Sequence, residues 1–394
     1  MRNFSVLACL ALLLACADAG AVTLDQLVRA YADRRGFSGV VLVARDGRPI
    51  YQGAFGQAHP AWKTPMRSDT VFRIGSLSKP FTATLVMRLA ETGRIDLDGT
   101  VGDYLPALYA GSAAGQVTVR QLLAHTSGVA DVPPRYTDPF WQRDARRSYT
   151  TEEFARAWIP AALASEPGSW RYNNNGYYLL GMIVEAATGK SYADNLKQHI
   201  LEPAHMVDTG LFDGRTVLPR LAQGTVAADD GSRAMPPYID PSVSWSAAGL
   251  YSTARDLLRF DTALAGGRIL GQAAQREMFT DRGRQYGYGW GVEDWTVRPG
   301  AAAGRAAHGE RAGLPEHAGA LAVGPGGHHR PRQCLAGRRR CRNGARYFRP
   351  GARQGGRPAE KEPGRCAGTG PVPPGPRCDA PCPCPPARTG SRWV

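Results

Sequence analysis

Apolar residues recur every three or four positions over 24–36, LDQLVRAYADRRG, and put Leu24, Leu27, Val28 and Tyr31 on one face. That spacing predicts an amphipathic helix. The next stretch, SGVVLVARDGRPIYQGAFG, holds two β-rich runs joined at Arg45-Asp46-Gly47, and its Asp-Gly pair is a hairpin signal. From Ser76 to Gly93, SLSKPFTATLVMRLAETG returns to helical spacing, with Pro80 in the first turn and Gly93 as the C-terminal cap. Residues 100 to about 235 are mostly helical patterns cut by Pro/Gly loops, which predicts a helical subdomain. GYYLLGMIVEAATGK, at 176–190, is its clearest apolar helix. SAAGLYSTARDLLRFDTALAGG predicts a turn and a helix capped at Gly266, and YGYGWGVEDWTV, at 286–297, reads as a strand. A hairpin early, strands late and helices between them predict an α+β fold whose sheet is built from both ends of the chain.

This patterning stops near residue 310. Beyond it, Arg, Gly, Pro, Ala and scattered Cys follow no period. The formal net charge of +14 would favour a nucleic-acid or anionic-membrane partner if it were spread over the fold, but most of it lies after Glu310. The body therefore makes no case for nucleic acid. The eight cysteines divide likewise, with Cys9 and Cys16 at the start and the others from Cys334 onward. Between them there is neither a disulfide framework nor a cysteine-ligated zinc site. Residues 1–19 read as a signal peptide: Arg2 is the positive end, FSVLACLALLLACA the apolar stretch, and Ala17-Asp18-Ala19 the small-residue cleavage site. The expected location is periplasmic or secreted, with LLAC, ending at Cys16, as an alternative lipid-attachment site. No other stretch is long and apolar enough to span a membrane.

Two short segments carry candidate chemistry. In Ser76-Leu77-Ser78-Lys79, positions i and i+3 share a helix face, so the Lys79 amine can reach the Ser76 hydroxyl. Serine is a weak nucleophile without a neighbouring base, and a partly desolvated lysine can serve as one. The helix start adds N–H groups suited to an oxyanion. The plainer reading is a capping serine before an exposed lysine. In Tyr172-Asn173-Asn174 a phenol can relay a proton while the Asn174 amide holds a carbonyl. Here the plainer reading is a helix-entry loop that uses its asparagines as caps. Two lookalikes fail. TGKS at 188–191 has Val184 where a phosphate loop needs glycine, and CDAPCPC at 378–384 has no histidine to complete a metal site.

Together, FRIGSLSKPFTA and YNNNGYYLLG resemble the Ser-x-x-Lys and Tyr-x-Asn segments of the serine β-lactamase and penicillin-binding-protein superfamily. The likeness is strongest to class C β-lactamases, DD-peptidases and esterase relatives. LLAHTSGV, SAAGLYSTARDLLRF and YGYGWGV resemble further elements of that family, in order, over about residues 25–309. The resemblance implies a β-lactamase/transpeptidase-like antiparallel sheet flanked by helices, in a hydrolase domain spanning 20–309. It implies Ser76 as the acylated nucleophile, Lys79 as its general base or hydrogen-bond partner, and Tyr172 as the proton relay. Asn174 would position Lys79 and the substrate amide, and the Ser76 N–H would be one oxyanion donor. His125 falls in a structural turn of the family. The expected partner is a β-lactam, a D-amino-acid peptide or an ester, with no cofactor or metal. The family's third motif, Lys-Thr-Gly or His-x-Gly, lands on His308-Gly309 as a substrate-binding element. Histidine there leans toward peptidase or esterase relatives. A non-catalytic wall-peptide binder on the same fold is the competing reading.

After Gly309 the family's next strand is missing. GC-rich codons read out of frame give this composition, and shifting 314–320 by one base permits Gly-Phe-Gln-Ser-Met-Leu-Ala-Leu. The same shift of later residues permits a second strand and a final helix. The sequence therefore reads as frame-shifted over 310–394, a disordered tail in place of the last strands and helix. The N-terminal strands would then have exposed edges, leaving an unstable or inactive product. The alternative is a true basic tail for an anionic wall polymer or nucleic acid.

Overall fold

The computed structural model describes residues 23–134, 137–227 and 232–292, together with the backbone of 318–323. Helix α1 (Leu24–Arg35) begins at Thr23, whose hydroxyl accepts the Gln26 N–H while the Gln26 side chain accepts the Thr23 N–H. That reciprocal cap satisfies two otherwise orphaned donors. The expected hairpin follows as β1 (Gly39–Arg45) and β2 (Arg48–Phe55), paired antiparallel. Its turn residues Asp46 and Gly47 both take positive φ, 50° and 73°, which matches the twist of a two-residue hairpin. Val40, Leu42 and Ala44 alternate along β1 and are buried.

A second sheet is three-stranded: β3 (Phe72–Arg73), β4 (Gly210–Leu211) and β5 (Leu250–Ser252), ordered β3-β5-β4. From β3 the chain runs through one 3-10 turn, Gly75–Leu77, into α2 (Ser78–Glu91). The α-helix thus starts two residues later than its sequence pattern predicts, and Ser76 sits in the turn. Most of α2 is buried on every side, as expected of a central helix. Its inward hydroxyls are satisfied: Thr82 donates to Ser246 O (2.6 Å), Thr84 to Pro80 O (2.7 Å), and Ser78 accepts the Leu250 N–H (3.0 Å). Phe81 stacks on Phe260 with ring centroids 4.0 Å apart.

Between residues 101 and 201 the chain forms mostly short helices, among them α3 (Val119–Leu123), and the longer apolar α4 (Asn174–Thr188), closed by left-handed Gly189. Then come α5 (Pro241–Ala248), α6 (Ala254–Ala265), which ends at Gly266 as expected, and α7 (Gln272–Met278). Helices α4 and α5 both pack on α2, and α6 packs on β1.

Two expectations are corrected. Residues 286–292 are not a strand but a tight loop closed by a bridge between Tyr286 and Gly291. The aromatic–glycine alternation mimics the period of a strand, but Gly289 turns the chain at φ 78° and lets it approach α2 closely. Residues 293–297 of that expected strand lie outside the described residues. The edge of β1 is not open either. Strand β6 (Ala318–Val323) pairs antiparallel along it, with Val40 opposite Val323 and Arg45 opposite Ala318, so the sheet order is β6-β1-β2. Ladder hydrogen bonds use backbone groups only, so a segment without strand patterning can complete them. Apart from these six residues, 310–394 lies outside the described residues, as do residues 1–19, expected as a signal peptide, and with them Cys16. Among the described residues no helix is long and apolar enough to cross a membrane.

Candidate active site

Four of the residues expected from sequence meet at one point. The Ser76 hydroxyl oxygen lies 2.7 Å from the Tyr172 phenol, which donates to it, and 3.3 Å from Lys79 Nζ. Lys79 also donates to Asn174 Oδ1 at 2.9 Å and to the Ala247 carbonyl at 3.0 Å. Its side chain is only 1% exposed, and its ammonium stands 4.7 Å from the Tyr172 ring centroid. Three acceptors therefore match the three N–H donors of the cation. A neutral amine has two N–H groups and one lone pair. If Asn174 and Ala247 keep their bonds, the lone pair points at Ser76, so loss of one proton turns the ammonium into a base aimed at the serine.

The asparagine run divides the two readings of its sequence between its members. Asn173 is the helix cap: its Oδ1 accepts the Gly176 N–H at 2.6 Å and its amide nitrogen donates to Val129 O at 2.6 Å. Asn175 ties the helix start to Ala130 O and Trp158 O, both at 2.9 Å. Asn174 alone faces Lys79.

His125 sits beneath the tyrosine rather than beside the serine. It is 1% exposed and has a positive φ of 59°. Its Nδ1 accepts the Asn173 N–H (3.1 Å), its carbonyl accepts the Arg171 N–H (2.8 Å), and its Nε2 is 3.2 Å from the Tyr286 hydroxyl. Because Nδ1 is an acceptor, the proton is on Nε2. Its ring packs against Tyr172 and Tyr177, with centroids 4.6 and 5.0 Å away. The structure thus gives His125 a supporting place, holding the loop that carries Tyr172.

Burial, and secondarily the Lys79 charge, hold the His125 pKa well below its ordinary 6.5. An unfolded chain takes up a proton near that pH which the folded chain refuses. Stability is therefore full above the unfolded value and falls as pH drops through the window beneath it, with a slope approaching about 1.4 kcal/mol per pH unit. Urea unfolding across that window should show the loss, and His125→Gln should flatten it. An equally steep loss in the variant would assign it to other groups.

Sequence reading missed three contributors. The Ala247 carbonyl is one, since a backbone acceptor has no residue signature. Trp245 is another: its φ of 25° and ψ of −122° break α5 just before Ser246 and Ala247, whose carbonyls receive Thr82 and Lys79. Such a conformation persists only where surroundings enforce it, and the Trp245 ring is wedged between Tyr178 and Tyr192, with centroids 5.0 and 5.4 Å away. The third is Asp131, whose carboxylate accepts the N–H groups of Val132, Asn174 and Asn175. Crowding by protein raises its pKa, against the pull of those N–H donors and of Lys79. His308 and Gly309 lie outside the described residues.

A mixed α+β body with antiparallel sheets, carrying a buried lysine between serine, asparagine and tyrosine, defines the β-lactamase/transpeptidase class of folds. The chain belongs to the Beta-lactamase family, whose sequence profile matches residues 24–332. It is similar to PbpX of Bacillus subtilis, described as a penicillin-binding protein, with 29% identity over 278 residues, 70% of this chain and 66% of that one. The chain thus spans just under two thirds of that relative's length. It is 31% identical over 340 residues to the esterase EstB of Burkholderia gladioli, covering 76% of this chain and 82% of EstB. Among solved structures, a penicillin binding protein from Bacillus halodurans superposes with a TM-score of 0.60 at 28% identity, over 66% of this chain and 81% of that one. These relatives carry the names of penicillin-binding proteins and of an esterase, and the solved one shares the fold.

Proposed function

We propose that the in-frame parent of this chain is an exported serine hydrolase that works through an acyl-enzyme on Ser76, and that residues 24–292 of the chain retain its serine, lysine and tyrosine. The observation that carries this reading is the pair of hydrogen bonds on one serine oxygen, from Tyr172 and from Lys79. Ser76 Oγ attacks the substrate carbonyl carbon and its proton passes to the Lys79–Tyr172 pair. The Tyr172 phenol hands a proton to the leaving nitrogen or oxygen as the scissile bond breaks. Water then attacks the ester, the carboxylic acid departs, and Ser76 Oγ regains its proton. Asn174 holds Lys79 and presents its amide side to the substrate carbonyl. The Ser76 N–H, at the head of the turn into α2, is one oxyanion donor, and His308-Gly309 supplies the third motif. The acyl donor is a β-lactam, a D-amino-acid amide or an ester.

The test is covalent labelling of the full chain, and of the chain with its frame restored after Gly309, with a fluorophosphonate and with a fluorescent penicillin, located by peptide mass spectrometry. A single adduct on Ser76, absent from Ser76→Ala, is the expected result. No adduct from either reagent on the folded protein would favour the non-catalytic binder.

The reading frame belongs to the same proposal. The compositional break after Gly309 and the strand recovered by a one-base shift support an in-frame parent that differs from this chain over 310–394. Residues 318–323, which pair with β1, overlap the segment that the shift rewrites as strand. Re-sequencing codons 300–320 tests it, and confirmed bases with no frame error in any near-identical gene copy would overturn it.

A further inference from the structure

Lys79 meets the oxygen of Asn174, not its nitrogen, and something must hold the amide that way round. An amide turned over would point N–H donors at an ammonium. The turn that holds His125 continues to Asp131, which lies on the far side of Asn174. Asp131 Oδ1 accepts the Asn174 backbone N–H at 2.9 Å, and Asp131 Oδ2 accepts the Asn174 side-chain Nδ2 at 3.3 Å. Asp131 Oδ1 is itself fixed by the N–H groups of Val132 (2.9 Å) and Asn175 (3.3 Å). An ionised carboxylate can only accept hydrogen bonds, so the Asn174 NH2 must face it and the oxygen must face Lys79.

We infer that Asp131 is a positioning residue, which fixes the orientation of the Asn174 amide and through it the place of Lys79 beside Ser76. Among the described residues Asp131 is hydrogen-bonded to neither the serine nor the lysine, and it acts through Asn174. The inference rests on the reading of Ser76 as nucleophile, but the clamp itself does not require turnover. Its other job, capping the start of α4 through backbone N–H groups, is separable. Asp131→Asn keeps an oxygen for those N–H groups while setting an NH2 group against the Asn174 NH2. That mismatch favours the turned amide.

The test is a double-mutant cycle of Asp131→Asn with Asn174→Ala, read by the rate of Ser76 labelling and by thermal unfolding. It is run in the full chain and in the chain with its frame restored after Gly309, so that poor folding of one leaves the other. In the wild-type background Asp131→Asn is expected to slow labelling on the order of 10²-fold, the scale of a small misplacement of a reacting group. In the Asn174→Ala background it should slow labelling no further than about 3-fold. A merely structural cap would lose the same factor in both backgrounds, and that result, or an unslowed Asp131→Asn, overturns the inference. If the unsubstituted protein takes no label, the reading of Ser76 fails and the unfolding cycle decides. Melting shifts smaller in combination than their sum support the clamp, and additive shifts overturn it.

Discussion

Lys79→Met is expected to slow acylation of Ser76 on the order of 10⁴-fold while leaving the folded protein nearly as stable as before. The loss in rate follows from the three-acceptor nest: with no amine there is neither a base for the serine nor a cation beside Asn174, and single losses within such units cost about this much. The stability forecast sets two opposed effects against each other. Asn174 Oδ1 and the Ala247 carbonyl lose their donor, at about 1–3 kcal/mol for each buried group left unsatisfied. Removing an ammonium from a site only 1% exposed relieves a desolvation penalty of several kcal/mol. The net change should lie within about 2 kcal/mol of zero. Stopped-flow labelling with a fluorophosphonate and a melting curve on the same sample check both halves. A variant that melts far lower while labelling at an appreciable rate would mean that Lys79 is structural.

The largest expected loss of stability comes from one methyl group. A Cβ on Gly289 would stand 2.8 Å from Ala83 Cβ and 2.9 Å from the Lys79 carbonyl oxygen, at a φ of 78°. The left-handed backbone costs about 1 kcal/mol, and overpacking against a buried helix adds about 1–3 kcal/mol. Gly289→Ala should therefore destabilise the fold by about 2–4 kcal/mol, measurable by urea denaturation. Because the clash falls on the turn of α2 that carries Lys79, labelling of Ser76 should slow as well. A stability change under about 0.5 kcal/mol, the range of an indifferent surface site, would show that the loop yields freely.

These two sites also mark how far the sequence could be read. Ser76, Lys79, Tyr172 and Asn174 were legible because each pair lies two or three residues apart, so local geometry already places the members of a pair together. The Asp46-Gly47 turn was legible for the same local reason. Asp131 was not, because its partner is 43 residues further on, and no periodicity announces a carboxylate that faces an amide across a loop. The Ala247 carbonyl and the strained Trp245 backbone were invisible in principle, since neither depends on residue type alone. Loop 286–292 was misread because tyrosine, tryptophan and glycine alternate with the period of a strand, while the glycines were there to permit turning and close approach. His125 shows the converse: its residue type invites a catalytic assignment, the resemblance sets it in a structural turn, and its buried place under Tyr172 gives it a supporting role.

The pairing of β6 with β1 carries a consequence for how this molecule can fail. A ladder of N–H and C=O groups does not distinguish one codon reading from another, so the outer edge of β1 tolerates error in whatever strand arrives. What a shifted frame changes is the identity of the side chains that strand carries. Damage of this kind should surface first as poor solubility and slow misassembly rather than as a missing strand. A chain cut before residue 318 would go further, offering the bare edge of β1 to another molecule and turning a repair surface into a seed for aggregation.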